Sequence, residues 1–150
     1  MKLVFDLDDT LYNEFDFVKS GYLAVSRFFS AKLNCRPNEI FDFMLYWHAE
    51  CGREGILEGT FNYFSKSEWD REILQEALDI YRSHKPKISL YPDAKDILEK
   101  YMSTGLALVT DGNPEVQRRK ISALEVEKYF SQIYTTWTFG KDRSKPSLYC

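Results

Sequence analysis

Histidine and cysteine are scarce in this chain. Two histidines, His48 and His84, and three cysteines, Cys35, Cys51 and Cys150, are spread over 150 residues. Three unpatterned cysteines do not make a disulfide framework. His48 and Cys51 stand three apart, but no second pair has zinc-like spacing, which speaks against soft-metal chemistry. No apolar run approaches the roughly 18 residues that span a bilayer. The chain enters its first apolar run directly, so no signal peptide is expected. Neither sign of charge dominates: 20 Lys and Arg against 23 Asp and Glu leave a formal net charge of −3. That balance gives no footprint for nucleic acid or an anionic membrane. The expected compartment is the cytoplasm. With 44% hydrophobic and 29% charged residues, the composition is that of a globular chain.

The densest chemistry lies in residues 3–11, Leu-Val-Phe-Asp-Leu-Asp-Asp-Thr-Leu. Leu3, Val4 and Phe5 form the continuous apolar run of a buried parallel strand. Carboxylates at its C-terminal end fall where open α/β sheets bind ligands. Side chains alternate along a strand, so Asp6 and Asp8 share a face and Leu7 points away. Two carboxylates converging on one pocket repel each other and require a cation or a shared proton. A hard divalent ion with oxygen ligands, Mg²⁺ above all, meets that need.

Beyond Asn13 the period changes. Phe15, Val18, Tyr22, Val25, Phe29 and Leu33 recur at three- and four-residue steps and predict an amphipathic helix. Pro37 suits the first turn of a second helix, which carries Ile40, Phe41, Met44, Leu45, Trp47 and His48 and ends near Gly52. Residues 52–55 read as a loop, and Gly59 loosens the segment beyond it. Ser67 with Asp70 resembles a capping box before a third helix with Ile73, Ala77, Ile80, Tyr81 and His84 on one face. The aromatic residues of this stretch read as the core of a bundle. Some 70 residues of helix thus interrupt a βαβ pattern.

From Ser89 helix and strand alternate. Pro92 and Asp93 open a helix with the stripe Ala94, Ile97, Leu98 and Tyr101, and Gly105 ends it. Leu106-Ala107-Leu108-Val109 is a short buried strand running into Thr110-Asp111-Gly112-Asn113-Pro114. A hydroxyl and free amides at a strand end can seat an oxyanion or a phosphate. An ordinary strand-to-helix turn explains Gly112, Asn113 and Pro114 equally well. The next helix carries Val116, Ile121 and Leu124, with Arg118, Arg119 and Lys120 expected on a solvated face. A third strand is predicted near 134–137. Lys141 and Lys145 come after it, the latter before Pro146.

Asp6-x-Asp8-x-Thr10, the strand-end Thr110 and the Lys145-Pro146 dipeptide, in this order around a helical insertion, resemble the haloacid dehalogenase-like (HAD) hydrolases. The resemblance covers the whole chain. It implies that Asp6 is a nucleophile that forms an aspartyl-phosphate, and that Asp8 protonates the leaving group and later activates water. It implies that Thr110, with the amides of Asp111 and Gly112, holds the phosphoryl oxygens. Lys145 would stabilise the charge that phosphoryl transfer concentrates there; Lys141 competes for this role, and the proline favours Lys145. Asp6 and Asp8 would serve the Mg²⁺ site.

The fold so implied is an α/β, Rossmann-like core with a parallel sheet flanked by helices, C-terminally incomplete. It would occupy residues 1–13 and 86–150, with an inserted helical cap at 14–85 that excludes water and chooses the substrate. The expected function is Mg²⁺-dependent hydrolysis of a small-molecule phosphomonoester. Asp8 argues against haloacid dehalogenation, which needs no acid at that position. A phosphomutase, or a catalytically impaired binding module, are the alternatives. The family's further acids, at the end of a fourth strand, have no counterpart before Cys150. That points to a shortened chain, weak Mg²⁺ binding, and self-association through the bare edge of the first strand. Neither nucleic acid nor membrane is an expected partner.

Overall fold

A computed structural model describes residues 3–65, 70–140 and 144–145. The chain divides into two compact units, one of Met1–Phe17 with Lys85–Cys150 and one of Val18–His84.

The first unit is α/β. Its strands β1 (Val4–Phe5), β2 (Leu106–Thr110) and β3 (Phe130–Thr135) form a parallel sheet in that order. The register pairs Phe5 with Leu108 and Thr110 with Thr135, which brings the C-terminal ends of the strands to one edge. Central β2 buries Leu108, Val109 and Thr110 in succession, the unbroken burial of a parallel strand covered on both faces. β1 is an outer strand of the described sheet, and Val4 on it is 55% exposed. β3 starts earlier than predicted: Ser131 and Gln132 dilute its apolar signal, and Trp137 falls in a single 3₁₀ turn, Thr136–Phe139.

Two helices frame β2. α5 (Pro92–Tyr101) buries Ala94 and Leu98, and Gly105 adopts φ +79°, the left-handed conformation that turns the chain into β2. α6 (Pro114–Ala123) begins at Asn113, whose side chain accepts from the amides of Glu115 and Val116, with Pro114 next in line.

The second unit is helical. α1 (Glu14–Leu33), whose first turn belongs to the α/β unit, precedes α2 (Pro37–Cys51), α3 (Ile56–Ser65) and α4 (Arg71–Ser83). Their buried faces meet in a core of Val18, Tyr22, Val25, Phe29, Ile40, Met44, Ile56, Phe61, Leu74 and Ala77. Sequence patterning predicts three helices here, and the described residues form four. Gly59, read as a loosening residue, sits inside α3, where a side chain would collide with the Trp47 indole. Its bareness serves close helix packing. Asp70 is itself the N-cap of α4, accepting from the amides of Glu72 and Ile73, while Ser67 lies outside the described residues. No described helix is long and apolar enough to cross a membrane.

Phe29 is fully buried and packs edge-to-face on Phe61 at 5.9 Å. Phe29→Ala should destabilise the helical unit by about 3–5 kcal/mol, the cost of an aromatic-sized cavity. Urea unfolding monitored by circular dichroism would check it; a shift below about 1 kcal/mol would mean the site collapses around the smaller side chain.

Candidate active site

Three chain segments reach the same edge of the sheet. After β1 the backbone turns at once: the Leu11 amide donates to the Leu7 carbonyl at 3.0 Å, and Asp9 takes φ +53°. Leu7 is fully buried, while Asp6 and Asp8, which lie beyond the end of β1 and outside the alternation of a strand, are half-buried. The Tyr91 amide donates to the Leu11 carbonyl at 2.9 Å and ties the turn to the chain entering α5.

The Asp6 carboxylate meets Lys145. Its Oδ1 accepts from the lysine Nζ at 2.5 Å, and the same ammonium reaches the Val109 carbonyl at 3.3 Å. Lys145 arrives there because Asp111 holds its backbone. The Asp111 carboxylate accepts from the Lys145 amide at 3.2 Å and from the Thr136 hydroxyl at 2.7 Å. The Asp111 side chain therefore works as a strut between β2 and the segment after β3. Lys141, Pro146 and Cys150 lie outside the described residues.

Thr110 closes β2 with its side chain fully buried and its hydroxyl without a hydrogen-bond partner among the described residues. A buried hydroxyl left unpaired costs about 1–3 kcal/mol, so the position is suited to an added acceptor. Gly112 has φ +123°, and a side chain on it would strike the Gln117 amide. Glycine is needed there twice over.

Asp8 has three donors that the sequence reading missed. Its Oδ1 accepts from the Tyr12 hydroxyl at 2.5 Å and from Lys120 Nζ at 2.7 Å, and its Oδ2 from Gln117 Nε2 at 3.3 Å. Burial, then the hydrogen bond to Asp8, raises the Tyr12 phenol far above its ordinary range, so it stays a donor. Lys120, expected on a solvated face, is buried, and its ammonium lies 4.5 Å from the centroid of the Phe17 ring. A signal for this was present. Gln117, Lys120, Ile121 and Leu124 recur at i, i+3, i+4 and i+7, a complete inward face in which two positions are polar.

Each carboxylate thus has its own ammonium, Lys145 for Asp6 and Lys120 for Asp8. Repulsion between the two acids does not by itself call for a metal, because two lysines already answer it.

The model of the family described as haloacid dehalogenase-like hydrolase matches residues 3–149. This chain belongs to that family. The glyceraldehyde 3-phosphate phosphatase of Methanocaldococcus jannaschii is 29% identical, over 97% of this chain and 65% of that protein. The phosphoserine phosphatase of Thermus thermophilus is 25% identical, over 98% of this chain and 72% of that protein. Among solved structures, the magnesium-bound HAD-hydrolase YfnB of Bacillus subtilis shares the fold with a TM-score of 0.53 and 17% identity, over 93% of this chain and 64% of that one. The chain therefore spans roughly two thirds of the length of these proteins.

HAD membership raises the question of Mg²⁺ anew. The donor set fits in kind, since Asp6 and Asp8 offer the hard oxygens that Mg²⁺ prefers, in the number it commonly takes from protein. They differ in readiness. Both Asp8 oxygens already accept hydrogen bonds, whereas Asp6 has a donor on Oδ1 alone among the described residues. Asp6 is the better ligand of the two.

Proposed function

We propose that this chain carries the phosphoryl-transfer site of a phosphatase acting on small-molecule phosphomonoesters. The observation that carries the reading is the 2.5 Å contact between Lys145 Nζ and Asp6 Oδ1. It sets a cation on the carboxylate that leads the Asp-x-Asp-x-Thr motif, and the neighbouring strand ends in Thr110, whose buried hydroxyl has no hydrogen-bond partner among the described residues.

Asp6 attacks phosphorus: a bond forms from its carboxylate oxygen, the ester P–O bond breaks, and the leaving oxygen takes a proton from Asp8. Water then adds to the aspartyl-phosphate, giving its proton to Asp8 and releasing phosphate from Asp6. Lys145 offsets the charge gathering on the transferred group, and the Thr110 hydroxyl with the amides of Asp111 and Gly112 receives its oxygens. Asp6 and a main-chain carbonyl near Asp8 would hold Mg²⁺, which supplies further charge neutralisation when bound. Residues 14–85, the helical insertion after the nucleophile strand, take the role of a cap that selects the substrate. The curated relatives named above act on a triose phosphate and a phosphoamino acid, both small phosphomonoesters, which supports that substrate class.

Asp8→Asn tests the second carboxylate. Turnover should fall by roughly 10²–10⁴-fold in the full-length protein, the usual worth of a positioned general acid. Release of inorganic phosphate from a panel of phosphomonoesters is the assay. Unchanged rates across the panel would remove Asp8 from the mechanism.

A further inference from the structure

Lys120 is a long charged side chain with only 4% of its surface exposed. Burying an ammonium is expensive unless a partner and hydrogen bonds answer it. Among the described residues the partner is a single oxygen, Asp8 Oδ1, with the Phe17 ring as the adjoining wall. Gln117, one turn earlier on α6, reaches the other oxygen of Asp8 and donates from the same nitrogen to the Asp111 carbonyl at 2.6 Å. Tyr12 completes the grip from the turn after β1. Three donors on two oxygens, from two separate segments, leave the carboxylate little rotational freedom.

We propose that Lys120, seconded by Gln117 and Tyr12, is a positioning residue that fixes the direction in which Asp8 presents its carboxyl group. The inference rests on the reading of Asp8 as the group that protonates the leaving oxygen. Gln117 adds a linkage. Through the Asp111 carbonyl it ties the orientation of Asp8 to the turn beyond Thr110, so the acid and the phosphate seat keep one spacing. The close approach of Gln117 to this turn depends on Gly112 having no side chain.

A positioned acid matters most when the leaving group is a poor one. Lys120→Met keeps the length of the side chain and removes the ammonium. It should lower kcat/KM of the full-length protein for phenyl phosphate by about tenfold or more, a fraction of what a general acid supplies. For p-nitrophenyl phosphate, whose leaving group departs without help, the loss should stay within about threefold. Because kcat/KM covers only the steps up to departure of the leaving group, later hydrolysis of the intermediate does not blur the comparison. Tyr12→Phe removes one hydroxyl with little change of shape and should show the same selectivity at smaller amplitude, which keeps the test available if the buried methionine is poorly tolerated. Equal losses on both substrates, or none on either, in folded variants would overturn the positioning role. Absence of Asp6-dependent turnover in the parent protein would instead overturn the phosphatase reading beneath it.

Discussion

Asp6→Asn should abolish phosphatase turnover while leaving the fold in place. The change is nearly isosteric, and Asp6 is half-buried at a strand end rather than in the core, so little packing is at stake. An amide still accepts a hydrogen bond from Lys145 but is a far weaker nucleophile than a carboxylate. The loss should reach roughly 10⁴-fold or more, the order seen when a covalent nucleophile is removed. Circular dichroism and thermal unfolding on the same sample would separate chemistry from folding. Substantial turnover in a folded Asp6→Asn protein would remove Asp6 from the role of nucleophile.

Lys145→Ala should come next in size. Its ammonium touches the Asp6 carboxylate and the Val109 carbonyl, so its loss would leave Asp6, the proposed nucleophile, without the cation that contacts it. Deleting one preorganised electrostatic group commonly costs about 10²–10³ in kcat, or about 3–4 kcal/mol. Lys141→Ala should cost much less. A reversed order of sensitivity would place the third motif four residues earlier than assigned. Asp111 offers an internal check. Its carboxylate holds the Lys145 amide, so Asp111→Ala should weaken turnover in the same sense, and by less, with the lysine itself intact.

The fold was legible where one physical rule acted alone. The run at Leu106 to Val109 needed only the rule that buried parallel strands are apolar throughout, and Asn113-Pro114 only the rules of helix initiation. Reading failed where two rules competed. Gly59 reads as a breaker by propensity, yet the bulk of Trp47 on α2 makes a missing side chain an asset inside α3. Asp70 read as the far end of a capping box when it was the cap itself. In β3, the consecutive polar residues Ser131 and Gln132 hid the start of a strand predicted only near 134–137.

At the candidate site the same division holds. Asp6, Asp8, Thr110 and Lys145 could be proposed because their spacing from strand ends is a local property that resembles a family pattern. Tyr12, Gln117 and Lys120 could not, because their meaning depends on which way α6 faces. Three consecutive cations, Arg118, Arg119 and Lys120, look like a solvated surface. Only the inward i, i+3, i+4, i+7 face separates buried Lys120 from its two exposed neighbours. Asp111 was assigned through its amide, and nothing local announces that its carboxylate braces Lys145 and Thr136.

The most direct test of the central claim is to look for the covalent intermediate. The full-length protein with Mg²⁺ and p-nitrophenyl phosphate, quenched in acid during turnover and digested, should yield a peptide bearing one phosphoryl group on Asp6, and Asp6→Asn should yield none. A phosphoryl group on any other residue, or steady turnover with no phosphorylated peptide at any quench time, would contradict the account.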